Sequence, residues 1–212
     1  MSARGPERQV IPPEALALLR ERDPVLRGVI DRVGAFEPSH EPDLWWSLVD
    51  AIISQQLSVK AAATIAGRVA ALGEKGRPTP REILTLPDET LRACGLSRAK
   101  TLYVKDLATK WLDDTLEPHR LDSLSDDEVV EHLVRVKGIG RWTAEMFLIF
   151  TLRRPDVLPV DDLGLREAVL RAYQLPERPG RAELERIGEP WRPYRSAATL
   201  FLWRSLSAPP PA

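Results

Sequence analysis

The sequence predicts an all-α protein. Three observations carry that expectation: apolar residues recur at spacings of three and four along most of the chain, alternating Val, Ile and Thr runs bounded by turns are almost absent, and two Ser/Thr-x-x-Glu boxes stand where helices should begin. Pro12-Pro13 opens a helix carrying Leu16 and Leu19, and a second follows Pro24 with Val25, Val29 and Val33. Pro42-Asp43 starts a helix over 44–53 that is apolar on every side and should lie buried at the centre. After Ser54-Gln55-Gln56, a helix rich in small residues covers 58–72, and its alanines let a neighbour approach closely. Thr79-Pro80-Arg81-Glu82 is the first capping box, and Asp88-Glu89-Thr90-Leu91 begins a short helix closed by Gly95. The helix over 97–112 sets Leu102, Leu107 and Trp111 against Lys100, Lys105 and Lys110. Ser125-Asp126-Asp127-Glu128 is the second capping box, and its helix stops at Lys137-Gly138-Ile139-Gly140. A helix over 141–151 follows at once, then an extended stretch over 155–160. Asp161 or Asp162 caps a helix bearing Leu165, Val169 and Tyr173, and helices over 181–187 and 194–207 precede a proline tail. No internal repeat or long linker interrupts these roughly ten helices, whose connections have ordinary lengths.

With 43% hydrophobic and 29% charged residues, 212 residues can bury a sizeable core as one large domain or two small ones. The longest apolar runs fall far short of the roughly 20 residues of a membrane helix, and MSARGPERQV has no apolar signal core. A cytoplasmic protein, of the bacterial cytosol or nucleoid, is expected, with no membrane partner. Thirty Lys and Arg against thirty-one Asp and Glu give a net charge of -1, which argues against polyanion binding through bulk charge. The distribution is uneven: from residue 131 onward thirteen Lys and Arg stand against ten Asp and Glu, and before it seventeen against twenty-one. One cysteine, Cys94, excludes an internal disulfide, a four-cysteine iron-sulfur cluster and a cysteine zinc site. His40, His119 and His132 are too scattered for a metal motif.

The most informative segment runs from Val134 to Ala144. Gly138 and Gly140 flank one aliphatic residue between a capped helix and the next helix start, so the backbone can turn tightly and leave amides unpaired to grip a phosphate. Over residues 133–154, Arg135, Lys137, Arg141, Arg153 and Arg154 stand against Glu145 alone. These features by themselves equally suit an ordinary helix-turn-helix corner. Downstream, two adjacent aspartates at 161 and 162 exceed what one helix start requires, so one of them can serve chemistry.

Val136-Lys137-Gly138-Ile139-Gly140-Arg141-Trp142-Thr143-Ala144 followed by Leu158-Pro159-Val160-Asp161-Asp162 resembles the helix-hairpin-helix (HhH-GPD) DNA glycosylase superfamily, most closely its alkylbase branch of the DNA-3-methyladenine glycosylase II type. From about Asp43 to Trp203 the order of motifs follows that branch, including Ile52-Ile53-Ser54-Gln55-Gln56-Leu57-Ser58-Val59, Cys94-Gly95-Leu96-Ser97-Arg98-Ala99-Lys100 and Trp191-Arg192-Pro193-Tyr194-Arg195-Ser196. The resemblance implies two helical lobes flanking a DNA-binding active-site cleft: residues 1–40 as a helical extension contributing to the second lobe, 41–130 as a lobe with an intercalating loop, and 131–212 as hairpin, catalytic aspartate and C-terminal helices. It implies the helical core alone, without the sheet domain some relatives carry.

By the same resemblance, Asp162 is the catalytic carboxylate, because Leu165 three residues on supplies the buried aliphatic position that Gly164 cannot supply for Asp161; Asp161 is left as a capping or orienting neighbour at the base pocket. Trp142, Met146 and Trp203 match pocket positions, Met146 replacing an aromatic found in a branch member, whereas Trp45, Trp46, Trp111 and Trp191 are assigned to packing. Gln56, with Leu57 second, is the residue that fills the base stack after a nucleotide is flipped. Lys137, Gly138, Ile139, Gly140, Arg141 and Thr143 hold a backbone phosphate, and the carbonyls of Val134, Val136 and Ile139 hold a monovalent cation, Na+ or K+; no other cofactor is required. Trp142 stands where bifunctional relatives carry the Schiff-base lysine, so the implied activity is monofunctional: a monomer hydrolysing the N-glycosidic bond of alkylated purines such as 3-methyladenine and 7-methylguanine in double-stranded DNA, within base excision repair. The alternatives are a non-enzymatic DNA-structure-binding protein and a glycosylase for oxidised or deaminated purines.

Overall fold

The computed structural model of the chain describes residues 9–207. Residues 1–8 of the expected extension and the proline tail at 208–212 lie outside the described residues. Among the described ones are α1 (Pro13–Arg22), α2 (Pro24–Val33), α3 (Leu44–Ser54), α4 (Val59–Ala70), α5 (Pro80–Thr85), α6 (Asp88–Ala93), α7 (Arg98–Leu112), α8 (Asp126–Leu133), α9 (Arg141–Phe150), α10 (Leu163–Ala172), α11 (Arg181–Gly188) and α12 (Arg195–Ser205), with a 3-10 turn at Glu189–Trp191. They contain no strand, and no helix among them is long and apolar enough to cross a membrane. Two compact units result, one of residues 41–147 and one joining the described residues up to His40 with those from Leu148 onward. The division falls at 147/148, inside α9, instead of at the expected 130/131. The hairpin therefore belongs with the 41–147 unit, because its backbone is anchored to α7 of that unit.

In the 41–147 unit, α3 is buried through Leu48, Val49, Ile52 and Ile53, as a helix apolar on all sides must be. Trp45 donates its indole N–H to the Pro78 carbonyl at 2.8 Å and meets Trp111 edge-on at 5.5 Å, so both serve packing. Both expected capping boxes form, Thr79 with Glu82 and Ser125 with Glu128, each contributing about 1 kcal/mol to its helix start. The stripes on α7 depart from expectation. Leu102 is 52% exposed, whereas Lys105 pairs with Asp88, Lys110 pairs with Asp106 and Lys100 turns inward. An ammonium can enter partly buried ground when carboxylates or carbonyls receive it, which helical period alone does not reveal.

The other unit packs Leu19, Leu26, Ile30, Leu165, Val169, Trp191 and Phe201 into one core, and α12 is buried continuously over 196–202. Asp23 is a buried hub: its carboxylate caps α2 by accepting the amides of Val25 and Leu26, and also accepts the Trp191 indole N–H at 2.9 Å and the Tyr173 hydroxyl. Burial first, then the hydrogen bond and charge of Asp23, pushes the Tyr173 hydroxyl well above its ordinary pKa. The unfolded chain releases that proton near pH 10 while the folded one keeps it, so the stabilisation is complete below about pH 10 and falls as pH rises further. The urea midpoint of the wild type should therefore fall more steeply between about pH 9.5 and 11 than that of Tyr173→Phe; parallel declines would contradict a tyrosine held neutral by this hub.

Candidate active site

Asp162 is the N-cap of α10, with extended backbone (φ -70°, ψ 118°). Its Oδ1 accepts the Leu165 amide at 2.5 Å, and the same oxygen accepts the Trp203 indole N–H at 2.8 Å. Trp203, on α12, stacks on Phe150 with an interplanar angle of 13° and centroids 6.1 Å apart. A Cβ on Gly164 would lie 3.1 Å from Asp162 Oδ1 and 3.5 Å from the Trp203 ring. Glycine at 164 thus spares Oδ1 a tight contact, while the indole would meet a Cβ only at ordinary van der Waals distance.

The segment delivering Asp162 is tied down along its length. Arg195 donates from Nε to Asp156 Oδ1 at 2.7 Å and from its terminal nitrogen to the Asp156 carbonyl at 2.7 Å, and Arg192 pairs with the same carboxylate. Ser196 donates its hydroxyl to the Arg154 carbonyl and accepts the Val157 amide. Arg166 reaches back from α10 to the Val160 carbonyl at 2.8 Å. The Trp191-to-Ser196 motif therefore contributes by fixing this approach, a role that no local pattern announces.

Asp161 requires a correction. Capping falls to Asp162 itself, and Asp161 is exposed with both carboxylate oxygens turned to Arg181 and one also to Arg166. A basic residue twenty positions downstream claims it, so it neither caps α10 nor orients Asp162 from the pocket side.

The hairpin sorts its residues cleanly. Val136 and Ile139 are buried anchors, while Lys137, Gly138, Gly140, Arg141 and Trp142 are exposed. α8 ends at Leu133, earlier than expected, and tighter turns through Arg135 and Val136 lead into the hairpin. Gly138 has φ +84°, and a Cβ there would strike the Tyr103 ring of α7 at 2.2 Å. Asp106, also on α7, accepts the Lys137 amide at 2.8 Å and the Lys110 ammonium at 2.6 Å. Burial pulls the Asp106 carboxyl up, and the bonds and charges of Lys110 and Lys137 outweigh it and hold it below the usual carboxylate range. Arg141 pairs with the buried Glu145 at 3.1 Å, and Thr143 is buried in the same first turn of α9. Val136 O accepts the Ile139 amide, and the carbonyls of Val134, Val136 and Ile139 are hard, neutral oxygen donors of the kind a monovalent cation takes.

Residues 54–57 form a type II turn. The Leu57 amide closes onto the Ser54 carbonyl at 3.2 Å, Gln55 has φ -53° and ψ 130°, and Gln56 has φ +56°. A side chain in the left-handed region costs about 1–2 kcal/mol, so something must hold this turn. The Lys100 ammonium donates to the Ile53 and Gln55 carbonyls, each at 2.6 Å, and the Gln55 amide side chain donates to the Gly138 carbonyl at 2.8 Å. Charged hydrogen bonds of this kind contribute roughly 1.5–3 kcal/mol each and outweigh the strain. Gln56 is exposed, Leu57 is 39% exposed and Val59 89% exposed.

Trp142, 46% exposed, Met146 and Phe150 fall at successive steps of four along α9 and so share one helix face. Phe150 was the member missed by sequence reasoning, although that spacing points to it. Lys100, Gln55, Tyr103 and Asp106 carry no such signal, since their partners lie 31 to 83 residues away or touch only as a ring against a missing Cβ.

Residues 49–193 match the family described as HhH-GPD superfamily base excision DNA repair protein. The chain is 36% identical over 182 residues to DNA-3-methyladenine glycosylase 1 of Schizosaccharomyces pombe, covering 84% of this chain and 80% of that protein. It is 30% identical over 194 residues to DNA-3-methyladenine glycosylase 2 of Escherichia coli, covering 84% and 65%. Among solved structures, the S. pombe 3-methyladenine DNA glycosylase in complex with abasic DNA superposes with a TM-score of 0.79 at 35% identity, covering 90% of this chain and 95% of that one.

The two hairpin glycines should respond differently to alanine. Gly138→Ala must push against a packed ring at positive φ and should lose roughly 2–4 kcal/mol of stability, whereas Gly140→Ala, with nothing within 4 Å of the new Cβ, should stay within about 1 kcal/mol of wild type. Equal urea midpoints for the two variants would contradict the contact with Tyr103.

Proposed function

The chain belongs to the HhH-GPD superfamily of base excision DNA repair proteins, and within it we propose that it is a monofunctional DNA glycosylase that removes alkylated purines, 3-methyladenine and 7-methylguanine in kind, from double-stranded DNA. The observation that carries this reading is the Asp162 carboxylate, oriented by two hydrogen bonds on one oxygen beside the stacked Trp203 and Phe150.

An alkylated purine of this kind carries positive charge. As the bond from its nitrogen to C1' breaks, the bonding electrons return to the ring, the base leaves neutral, and positive charge moves to the deoxyribose. A preplaced carboxylate stabilises that oxocarbenium-like state. Asp162 fills this role and directs water to C1'; the water oxygen bonds to C1', its proton is released, and an abasic site remains. No general acid is needed for so good a leaving group, consistent with a site built around one carboxylate. Electron-rich aromatic faces favour a cationic, electron-poor base over a normal one, and Trp203 with Phe150 supplies them for a flipped nucleotide.

The hairpin grips a backbone phosphate. Since Asp106 takes the Lys137 amide and Val136 the Ile139 amide, the grip falls to the amides of Gly138, Gly140 and Arg141 at the N-terminus of α9, supported by the charges of Lys137 and Arg141. The carbonyls of Val134, Val136 and Ile139 would hold Na+ or K+ there, adding positive charge to the phosphate side. Gln56 or Leu57 fills the vacated stack. With tryptophan at 142 there is no Schiff-base lysine, so strand cleavage is not part of the reaction. The protein works as a monomer on nucleoid DNA in the cytosol.

Asn caps a helix as well as Asp does, so Asp162→Asn removes the charge and keeps the cap. On methylated duplex DNA the wild type should release 3-methyladenine and 7-methylguanine and leave strands that break only after alkali. Asp162→Asn should bind the same DNA and release base at least about a thousandfold more slowly. Strand nicking by the wild type without alkali, or full base release by the variant, would overturn the assignment.

A further inference from the structure

We propose that Lys100 is the positioning residue of the stack-filling turn, and that α7 sets the spacing between that turn and the phosphate-gripping hairpin. The proposal rests on reading Gln56-Leu57 as the residues that enter the base stack.

Type I and type II turns differ by a flip of the central peptide, here the one linking Gln55 to Gln56. The carbonyl of that peptide is the one Lys100 holds at 2.6 Å. A side chain at 56 favours the type I form, with negative φ; the observed φ of +56° is the type II form. The ammonium therefore selects the orientation that the residue type disfavours. Its second bond, to Ile53 at the C-terminal end of α3, places a cation where the helix has unpaired carbonyls. Burial also lowers the pKa of this lysine from its ordinary value, as expected for a group recruited inward and not left in solvent.

The same helix reaches the hairpin. Lys100, Tyr103, Asp106 and Lys110 follow at steps of three and four along α7, so they share one face. Lys100 holds the turn, Tyr103 fills the space beside Gly138, and Asp106, held by Lys110, takes the Lys137 amide. Gln55 closes the circuit by donating to the Gly138 carbonyl. One face of one helix thus presents both turns in a fixed relation, and the plug does not need to be ordered at the moment a nucleotide leaves the stack.

The test uses the full chain and single-turnover base release from two duplexes, one with 7-methylguanine paired to cytosine and one with it opposite an abasic site, where unpairing costs little. Lys100→Met keeps the stem and removes the donors. It should lower the unfolding midpoint, since two charged hydrogen bonds are lost, and, assayed well below that midpoint, slow release from the paired duplex about tenfold or more and from the other less than about threefold. The double variant Gln56→Ala, Leu57→Ala should show the same selective loss, and adding Lys100→Met to it should change the rate less than about twofold, because coupled residues are not additive. If the double variant loses nothing, the plug reading itself is wrong. If it is selectively slow while Lys100→Met is unaffected, or slow equally on both duplexes, the plug stands and the positioning role is overturned. Should Lys100→Met fail to fold, Gln55→Met cuts only the tie to Gly138; a selective loss upholds the coupling, and no loss overturns it.

Discussion

A single oxygen atom, Oδ1 of Asp162, starts α10 and anchors the Trp203 indole. Much of the surrounding architecture follows from keeping it in place. Asp156, Arg192, Arg195 and Ser196 fix the segment that leads to it, Arg166 braces the residue before its neighbour, and the bare Cα of Gly164 spares it a tight contact. A carboxylate held this way need not reorient as charge develops on a sugar, which is where electrostatic catalysis gains most of its advantage over water.

The hairpin and the 54–57 turn of the 41–147 unit obey a second constraint, the exposure of backbone on a firm support. Val136 and Ile139 plunge into the core so that glycines and amides can face outward, and α7 supports both the hairpin and the 54–57 turn. Under the proposed function, oriented amides and not bulk charge would meet the DNA backbone, which suits a chain with a net charge of -1.

What could be read from sequence was whatever physics keeps local. Capping boxes at Thr79 and Ser125 declare themselves within four residues, and the glycine-flanked hairpin and the apolar α3 were legible for the same reason, whereas the choice of Asp162 over Asp161 came from the family resemblance. Asp161 misled because its claimant, Arg181, lies twenty residues on, and an adjacent pair of aspartates looks alike from inside the sequence. Lys100 was read only as one of three lysines set against an apolar stripe, and the distant carbonyls of Ile53 and Gln55 reveal its task. The hairpin was assigned to the C-terminal part for a similar reason: its tie to Asp106 spans 31 residues.

The central claim is that Asp162 acts through its charge on a cationic deoxyribose. Binding of two abasic-site analogues tests it without any dependence on base release: a duplex containing a pyrrolidine sugar, protonated where positive charge develops, and one containing the neutral tetrahydrofuran site. The wild type should bind the charged analogue at least about a hundredfold more tightly, and Asp162→Asn should lose most of that preference while binding the neutral duplex unchanged. Equal affinity of the wild type for the two duplexes, or an undiminished preference in the variant, would contradict it.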